Sequence, residues 1–155
     1  MKIIFLDIDG VLNDRQYNKV SEFFPIFPDK IELLNKVLEK TDAYIVISSS
    51  WRYLVHNGSM TLEGLEFLLR SHGLKNGRMI GVTPKSSPED ECANRQVAIQ
   101  EWLDFHRRDK YVHIENYCIV DDLSSASFSK MKNFIRTDGD VGLTEEDCKK
   151  IVELL

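Results

Sequence analysis

Asp7 and Asp9 stand one residue apart at the end of the apolar run Ile3-Ile4-Phe5-Leu6, and Gly10 follows them directly. Carboxylates held that close repel each other unless a cation or a shared proton intervenes. The pair therefore predicts a hard divalent metal and lets the two acids take different roles. The pattern recurs twice: Ala43-Tyr44-Ile45-Val46-Ile47 stops at Ser48-Ser49-Ser50, and Tyr117-Cys118-Ile119-Val120 stops at Asp121-Asp122. Apolar runs without alternation are what strands covered on both faces look like, and open α/β sheets place their ligands at the carboxyl ends of such strands. Asp7, Asp9, Ser48 and Asp121 are thus expected on one cleft, with a metal held between the first carboxylate and the last.

The elements that must position these residues alternate along the chain. Residues 2–7, 43–48, 79–82 and a run ending at 121 read as strands, with a possible edge strand over 133–137. Helices are expected over 28–40, opened by Pro28 and Asp29, then over about 61–71, which stops at Gly73, over about 93–108, in a short stretch near 125–132, and from Thr144 onward. Thr144 with Asp147 three residues on has the form of a capping box. Arg95 lies four residues before Ile99 and seven before Trp102, on the apolar stripe of its helix and at the end nearest the predicted cleft. A charge there requires a partner, and Asp7 or a substrate phosphate is within its reach. Lys85 is the rival cation.

Composition restricts the function classes. The 155 residues, 43% hydrophobic and 29% charged, suit one globular domain spanning 1–155. The amino-terminal apolar stretch is shorter than a signal peptide's apolar region, and no run approaches membrane-spanning length, so a cytoplasmic protein without membrane partners is expected. Cys92, Cys118 and Cys148 are odd in number and lack CxxC spacing, which argues against a disulfide framework or a zinc site. A net charge of −5 weighs against tight nonspecific nucleic-acid binding. Arg107, Arg108 and Lys110 are read as complementing a helix dipole, whereas Arg15, Lys19, Arg52 and Lys85 belong to segments expected to border the cleft.

With those residues in view, the chain resembles the haloacid dehalogenase (HAD) superfamily of aspartate-nucleophile phosphatases. Asp7-Ile8-Asp9-Gly10-Val11 looks like its first motif, Ser48 its second, Arg95 its third and Asp121-Asp122 its fourth. Gly81-Val82-Thr83-Pro84, Trp102-Leu103, Ser48-Ser49-Ser50-Trp51-Arg52 and Gly142-Leu143-Thr144 are similar to the HAD domains of Swiss Army Knife RNA repair proteins. The resemblance implies a three-layer, Rossmann-like parallel α/β sheet, essentially without a cap, because only about 15 to 20 irregular residues separate Asn13 from the helix at Pro28.

By that resemblance Asp7 is the nucleophile, Asp9 the acid/base, Ser48 a donor to the phosphoryl oxygen and Arg95 the stabilising cation. Mg²⁺ would be held by Asp7, the main chain of Asp9 and Asp121, with Asp122 the second choice. Gly10, Ser49 and Arg52 are carried as substrate-binding residues. The expected partner is a phosphorylated substrate, with RNA or DNA ends favoured by the open cleft; Phe23-Phe24-Pro25-Ile26-Phe27 would offer stacking surface to a base. The protein is expected to be a monomer or weak dimer. Competing readings are a small-molecule nucleotide or sugar phosphatase, a receiver-type module, a metal-dependent nuclease, and a non-catalytic module that binds phospho-ligands or nucleic acid. A receiver's acceptor Asp lies on a later strand, a nuclease forms no covalent intermediate, and a binding module would have lost Asp7 or Asp9.

Overall fold

A computed structural model of the chain describes residues 1–15, 25–85 and 94–155. Five strands form a single parallel sheet: β1 (Lys2–Leu6), β2 (Tyr44–Ile47), β3 (Arg78–Val82), β4 (Asn116–Asp121) and β5 (Phe134–Arg136), ordered β3-β2-β1-β4-β5. The helices between them are α1 (Pro28–Thr41), α2 (Arg52–His56), α3 (Leu62–Ser71), α4 (Asn94–Arg107) and α5 (Glu145–Leu154), with a 3₁₀ turn over Ser125–Phe128. Parallel strands need crossovers, and helices supply them on both faces of the sheet.

The apolar strands bury both faces by turning alternate residues opposite ways. Ile3, Phe5, Val46 and Ile119 pack with Ile99, Trp102 and Leu103 of α4. Ile4, Leu6, Ile45, Ile47 and Val120 pack on the other side with Leu34 and Leu38 of α1, Leu65 and Leu69 of α3, and Ile151 of α5. The result is the three-layer α/β arrangement that the strand pattern predicts.

Local signals explain where the helices stop and start. Pro28 stands in the first turn of α1, where its missing N–H costs nothing, and Asp42 ends that helix in the left-handed conformation at φ 52°. Thr144 accepts from the Asp147 N–H while the Asp147 carboxylate accepts from the Thr144 N–H, completing the predicted capping box of α5.

Two expectations are corrected. The helical stretch near 125–132 shrinks to the four-residue 3₁₀ turn, because Phe128 is its one fully buried side chain and no apolar stripe exists to anchor a longer helix. The short helix α2 was not foreseen: five residues are too few to show periodicity. Lys19, Phe23, Phe24 and Cys92 lie outside the described residues. Cys118 is fully buried, which pushes its thiol upward, and burial pushes the Cys148 thiol up to about 11, so neither is a reactive nucleophile.

Register decides what the sheet presents at its carboxyl edge. Leu6 pairs with Ile47 on one side and with Val120 on the other, so the residues that follow, Asp7, Ser48 and Asp121, come level with one another. Backbone bonds continue the ladder past the strand ends: the Asp7 N–H donates to the Val120 carbonyl and the Ser48 N–H to the Leu6 carbonyl, both at 2.9 Å.

Candidate active site

At the edge where β1, β2 and β4 end, Arg95 is the residue that ties the acids together. It occupies the first turn of α4, and its Nη1 donates to Asp7 Oδ2 at 2.5 Å and to Asp121 Oδ2 at 2.6 Å. Their other oxygens are held by the main chain, Asp7 Oδ1 by the Ile8 N–H and Asp121 Oδ1 by the Leu123 N–H. All three side chains are almost wholly buried. Lys85, the rival cation, is exposed.

Burial at this edge works against charge. Desolvation first, and then the neighbouring Asp121 carboxylate, push the Asp7 carboxyl up to about 7 in the metal-free protein, against the pull of Arg95. Burial raises Asp121 as well, again with Arg95 opposing. Burial disfavours the Arg95 charge too, yet Asp7 and Asp121 more than compensate and hold it above the ordinary guanidinium range.

Asp122 belongs to the same edge but to a different partner. Its Oδ2 accepts from Arg15 Nε at 2.8 Å and Nη2 at 2.6 Å. One carboxylate oxygen from each of Asp7, Asp121 and Asp122 lies within 4.8 Å of the others. Adding Asp9 makes four carboxylates against the two guanidiniums of Arg95 and Arg15, a surplus of two negative charges. Hard anionic oxygens with that surplus fit a hard divalent cation.

Asp9 diverges from the trio. Its carboxylate is half-buried and turned to neutral donors: Asn13 Nδ2 reaches Oδ1 and Trp51 Nε1 reaches Oδ2, both at 3.0 Å. Asn13 is itself fixed, accepting from the Gly10 N–H and donating to the Pro25 carbonyl. Gly10 turns the chain at φ 76°, and a Cβ there would stand 2.4 Å from Asp122 Oδ2, so a side chain is excluded twice over. Its carbonyl accepts from Thr137 Oγ1 at 2.8 Å.

On β2's side, Ser48 and Ser49 are fully buried. Among the described residues Ser48 Oγ has no hydrogen-bond partner, and neither has Arg95 Nε. Buried orphan donors at one edge are costly unless a ligand completes them. Ser49 Oγ accepts from the Trp51 N–H at 3.3 Å.

Arg52, expected at the border of the cleft, is turned inward. It is 1% exposed, and its Nη1 donates inward to the carbonyls of Ser48 and Ser49 at 3.2 and 2.9 Å. The reason is local: α2 begins at Arg52, and its first turn folds the side chain back under the loop it has just left. Asn13, Trp51 and Thr137 were not singled out from sequence as contributors to the site. Trp51 sits within the Ser48–Arg52 phrase and Asn13 two residues beyond the first motif, yet only the folded loops reveal that they meet at Asp9.

A family model described as the HAD domain in Swiss Army Knife RNA repair proteins matches residues 3–148. No curated protein and no solved structure matches the chain. Among the described residues no helix is long and apolar enough to cross a membrane.

Proposed function

Since the chain belongs to the family of HAD domains found in Swiss Army Knife RNA repair proteins, we propose that it is a Mg²⁺-dependent phosphatase that works through an aspartyl-phosphate on Asp7 and acts on a terminal phosphate of a nucleic acid. The observation that carries this reading is the bridge of Arg95 between Asp7 and Asp121, at the sheet edge shared with a Ser48 hydroxyl that has no partner among the described residues. Register brings nucleophile and phosphoryl donor level at one sheet edge, with the cation bonded to the nucleophile.

In the first half-reaction an Asp7 oxygen attacks phosphorus, the phosphorus–oxygen bond to the leaving alcohol breaks, and Asp9 supplies the proton that the departing oxygen takes up. In the second, Asp9 takes a proton from water. That water attacks the phosphoryl group, releasing inorganic phosphate and restoring the Asp7 carboxylate. The Ser48 hydroxyl and the Arg95 guanidinium hold the equatorial oxygens, where charge is spread in the transition state. Asn13 and Trp51 fix the orientation of the Asp9 carboxyl group, which starts the first half-reaction protonated and the second ionised. Mg²⁺ held by Asp7, Asp121 and the main chain of Asp9, with Asp122 as the alternative ligand, would neutralise the charge that otherwise sets an anionic nucleophile against an anionic phosphate.

We take the domain to be a single capless unit. The segments outside the described residues, 16–24 and 86–93, are too short for a cap domain. The helix after β2, α3, buries Leu65 and Leu69 against the sheet. An open edge of this kind suits the end of a polymer better than an enclosed metabolite. The test is a phosphate-release screen across aryl phosphate, mononucleotides, sugar phosphates, phosphopeptides and 3′- or 5′-phosphorylated oligonucleotides, with and without Mg²⁺. Release that needs Mg²⁺, with oligonucleotides turned over more efficiently than mononucleotides, supports the reading. Equal or better efficiency on small metabolites would move it to a small-molecule phosphatase, and absence of turnover on every ester would leave a phospho-ligand-binding module.

A further inference from the structure

Asp122 is shared by the acid cluster and by a polar cavity of about 480 Å³ beside it, lined by Arg15, Arg136, Asp138, Gly139 and Asp140 together with Thr137. We propose that this cavity is a subsite for the nucleotide next to the scissile phosphate, in which Arg15 and Arg136 grip the adjoining phosphodiester. The inference rests on the phosphatase reading and names the part of the substrate that the site recognises.

Arg15 is built into its place. Its N–H donates to the Gly139 carbonyl at 2.8 Å, and its guanidinium lies against Asp122 through Nε and Nη2. A Cβ on Gly139 would stand 2.4 Å from Asp122 Oδ2 and 2.5 Å from Arg15 Nε, so the glycine is what lets the loop close over this pair. A guanidinium carries five N–H groups in a fixed fork, and Asp122 takes two of them, which leaves three to be offered outward. The side chain is 55% exposed, whereas that of Asp122 is 10% exposed, so the outward donors face solvent. Arg136, at the end of β5, is exposed, and its Nε donates to the Asp122 carbonyl at 3.4 Å, its one side-chain hydrogen bond among the described residues. Two guanidiniums anchored on one residue, beside the acids that surround the scissile phosphate, match one further phosphate.

The acids of the cavity narrow the ligand. Asp138 and Asp140 are exposed, and Asp138 Oδ1 already accepts the Asp140 N–H. Their remaining oxygens accept hydrogen bonds from sugar hydroxyls and repel additional phosphates. With Asp122 they outnumber the two arginines, so the cavity suits one diester flanked by a sugar and not a polyphosphate chain. A nucleotide within a strand has that chemistry; a nucleoside diphosphate does not.

The test is a cycle between the protein cation and the ligand charge. Terminally phosphorylated dinucleotides are prepared with an ordinary internal phosphodiester or with a neutral methylphosphonate in its place. Catalytic efficiency on each is measured for the wild-type protein and for Arg15→Gln, and again for Arg136→Gln. We expect the diester to be preferred by roughly tenfold, mainly in KM, as one charge-assisted contact commonly provides. In either variant the preference should collapse, and the dinucleotide should outperform a nucleoside diphosphate in the wild type. Losses that add independently, or an equal loss on a simple aryl phosphate, would show that Arg15 acts only through the structure around Asp122 and would overturn the subsite. A nucleoside diphosphate preferred over the dinucleotide would overturn it too. Binding of both dinucleotides to Asp7→Asn protein gives a readout independent of turnover. Arginine-dependent discrimination there without wild-type turnover would preserve the subsite and reject the phosphatase, whereas turnover without discrimination would do the reverse.

Discussion

Two arginine–carboxylate assemblies stand side by side at the same sheet edge and differ chiefly in burial. Arg95 sits between Asp7 and Asp121 with side-chain exposures of 10%, 3% and 0%, while Arg15 holds Asp122 with its own side chain 55% exposed. Their hydrogen-bond lengths are alike, so distance does not separate them. In the buried assembly every group is desolvated and loss of one member strands the others. In the other, Arg15 reaches solvent, which screens the pair, although Asp122 itself is buried. The first is suited to chemistry on a group in flight, the second to holding a part of the ligand that does not react.

The largest effect is expected at Asp7. Asp7→Asn removes the nucleophile and a metal ligand together, and phosphate release should fall by at least about 10³-fold, as for other covalent nucleophiles. Near-normal release by this variant would exclude the aspartyl-phosphate and favour a nuclease-like mechanism.

Arg95→Ala comes next and contrasts the two assemblies directly. It should lower turnover by roughly two orders of magnitude through loss of a preorganised donor. It should also destabilise the metal-free protein by about 3–5 kcal/mol, because two buried carboxylates lose their counter-charge. Arg15→Ala should cost less than Arg95→Ala in the same denaturant titration, because it uncovers one carboxylate instead of two and Arg15 itself is screened by solvent. Lys85→Ala should change turnover only a few-fold. A larger loss from Lys85→Ala than from Arg95→Ala would transfer the stabilising role to the lysine.

Acidity provides a further contrast. In the metal-free protein the folded state keeps a proton on Asp7 up to about 7, whereas the unfolded chain releases it near 3.8. The folded state thus binds more protons across that interval, and the contribution to stability, complete below about pH 4, is lost as pH rises toward 7. Thermal midpoints in chelator should therefore decline between pH 5 and 7, and saturating Mg²⁺ should flatten the slope by neutralising the same carboxylates. Identical slopes with and without Mg²⁺ would show that the cation does not bind at Asp7.

At Arg52 the expected effect is on stability. Arg52→Met removes the side-chain donor to the Ser48 and Ser49 carbonyls, the latter keeping the Arg52 N–H, and should cost about 1–3 kcal/mol, with Arg52→Lys recovering part of it. Full stability in Arg52→Met would mean that the loop after β2 is held by its backbone alone.

Much of this architecture could be read before folding was considered, because it is written in local pattern. The runs at Ile3–Leu6, Ala43–Ile47 and Tyr117–Val120 announce strands buried on both faces, and their terminal Asp, Ser and Asp announce a common edge. Proline at the start of α1 and the Thr144–Asp147 pair at the start of α5 are equally local. Arg95 was readable because a charge on an apolar stripe contradicts its surroundings and so demands a partner. The inward turn of Arg52 is not legible in the sequence, since a cation after Ser-Ser-Ser-Trp looks the same whether it turns outward to a ligand or inward to carbonyls. That choice depends on the direction of a five-residue helix. The holding of Asp9 by Asn13 and Trp51, and the division of Asp121 and Asp122 between Arg95 and Arg15, belong to tertiary structure alone. Each joins residues from separate loops, and adjacent carboxylates differ only in which way the chain turns them after the strand ends.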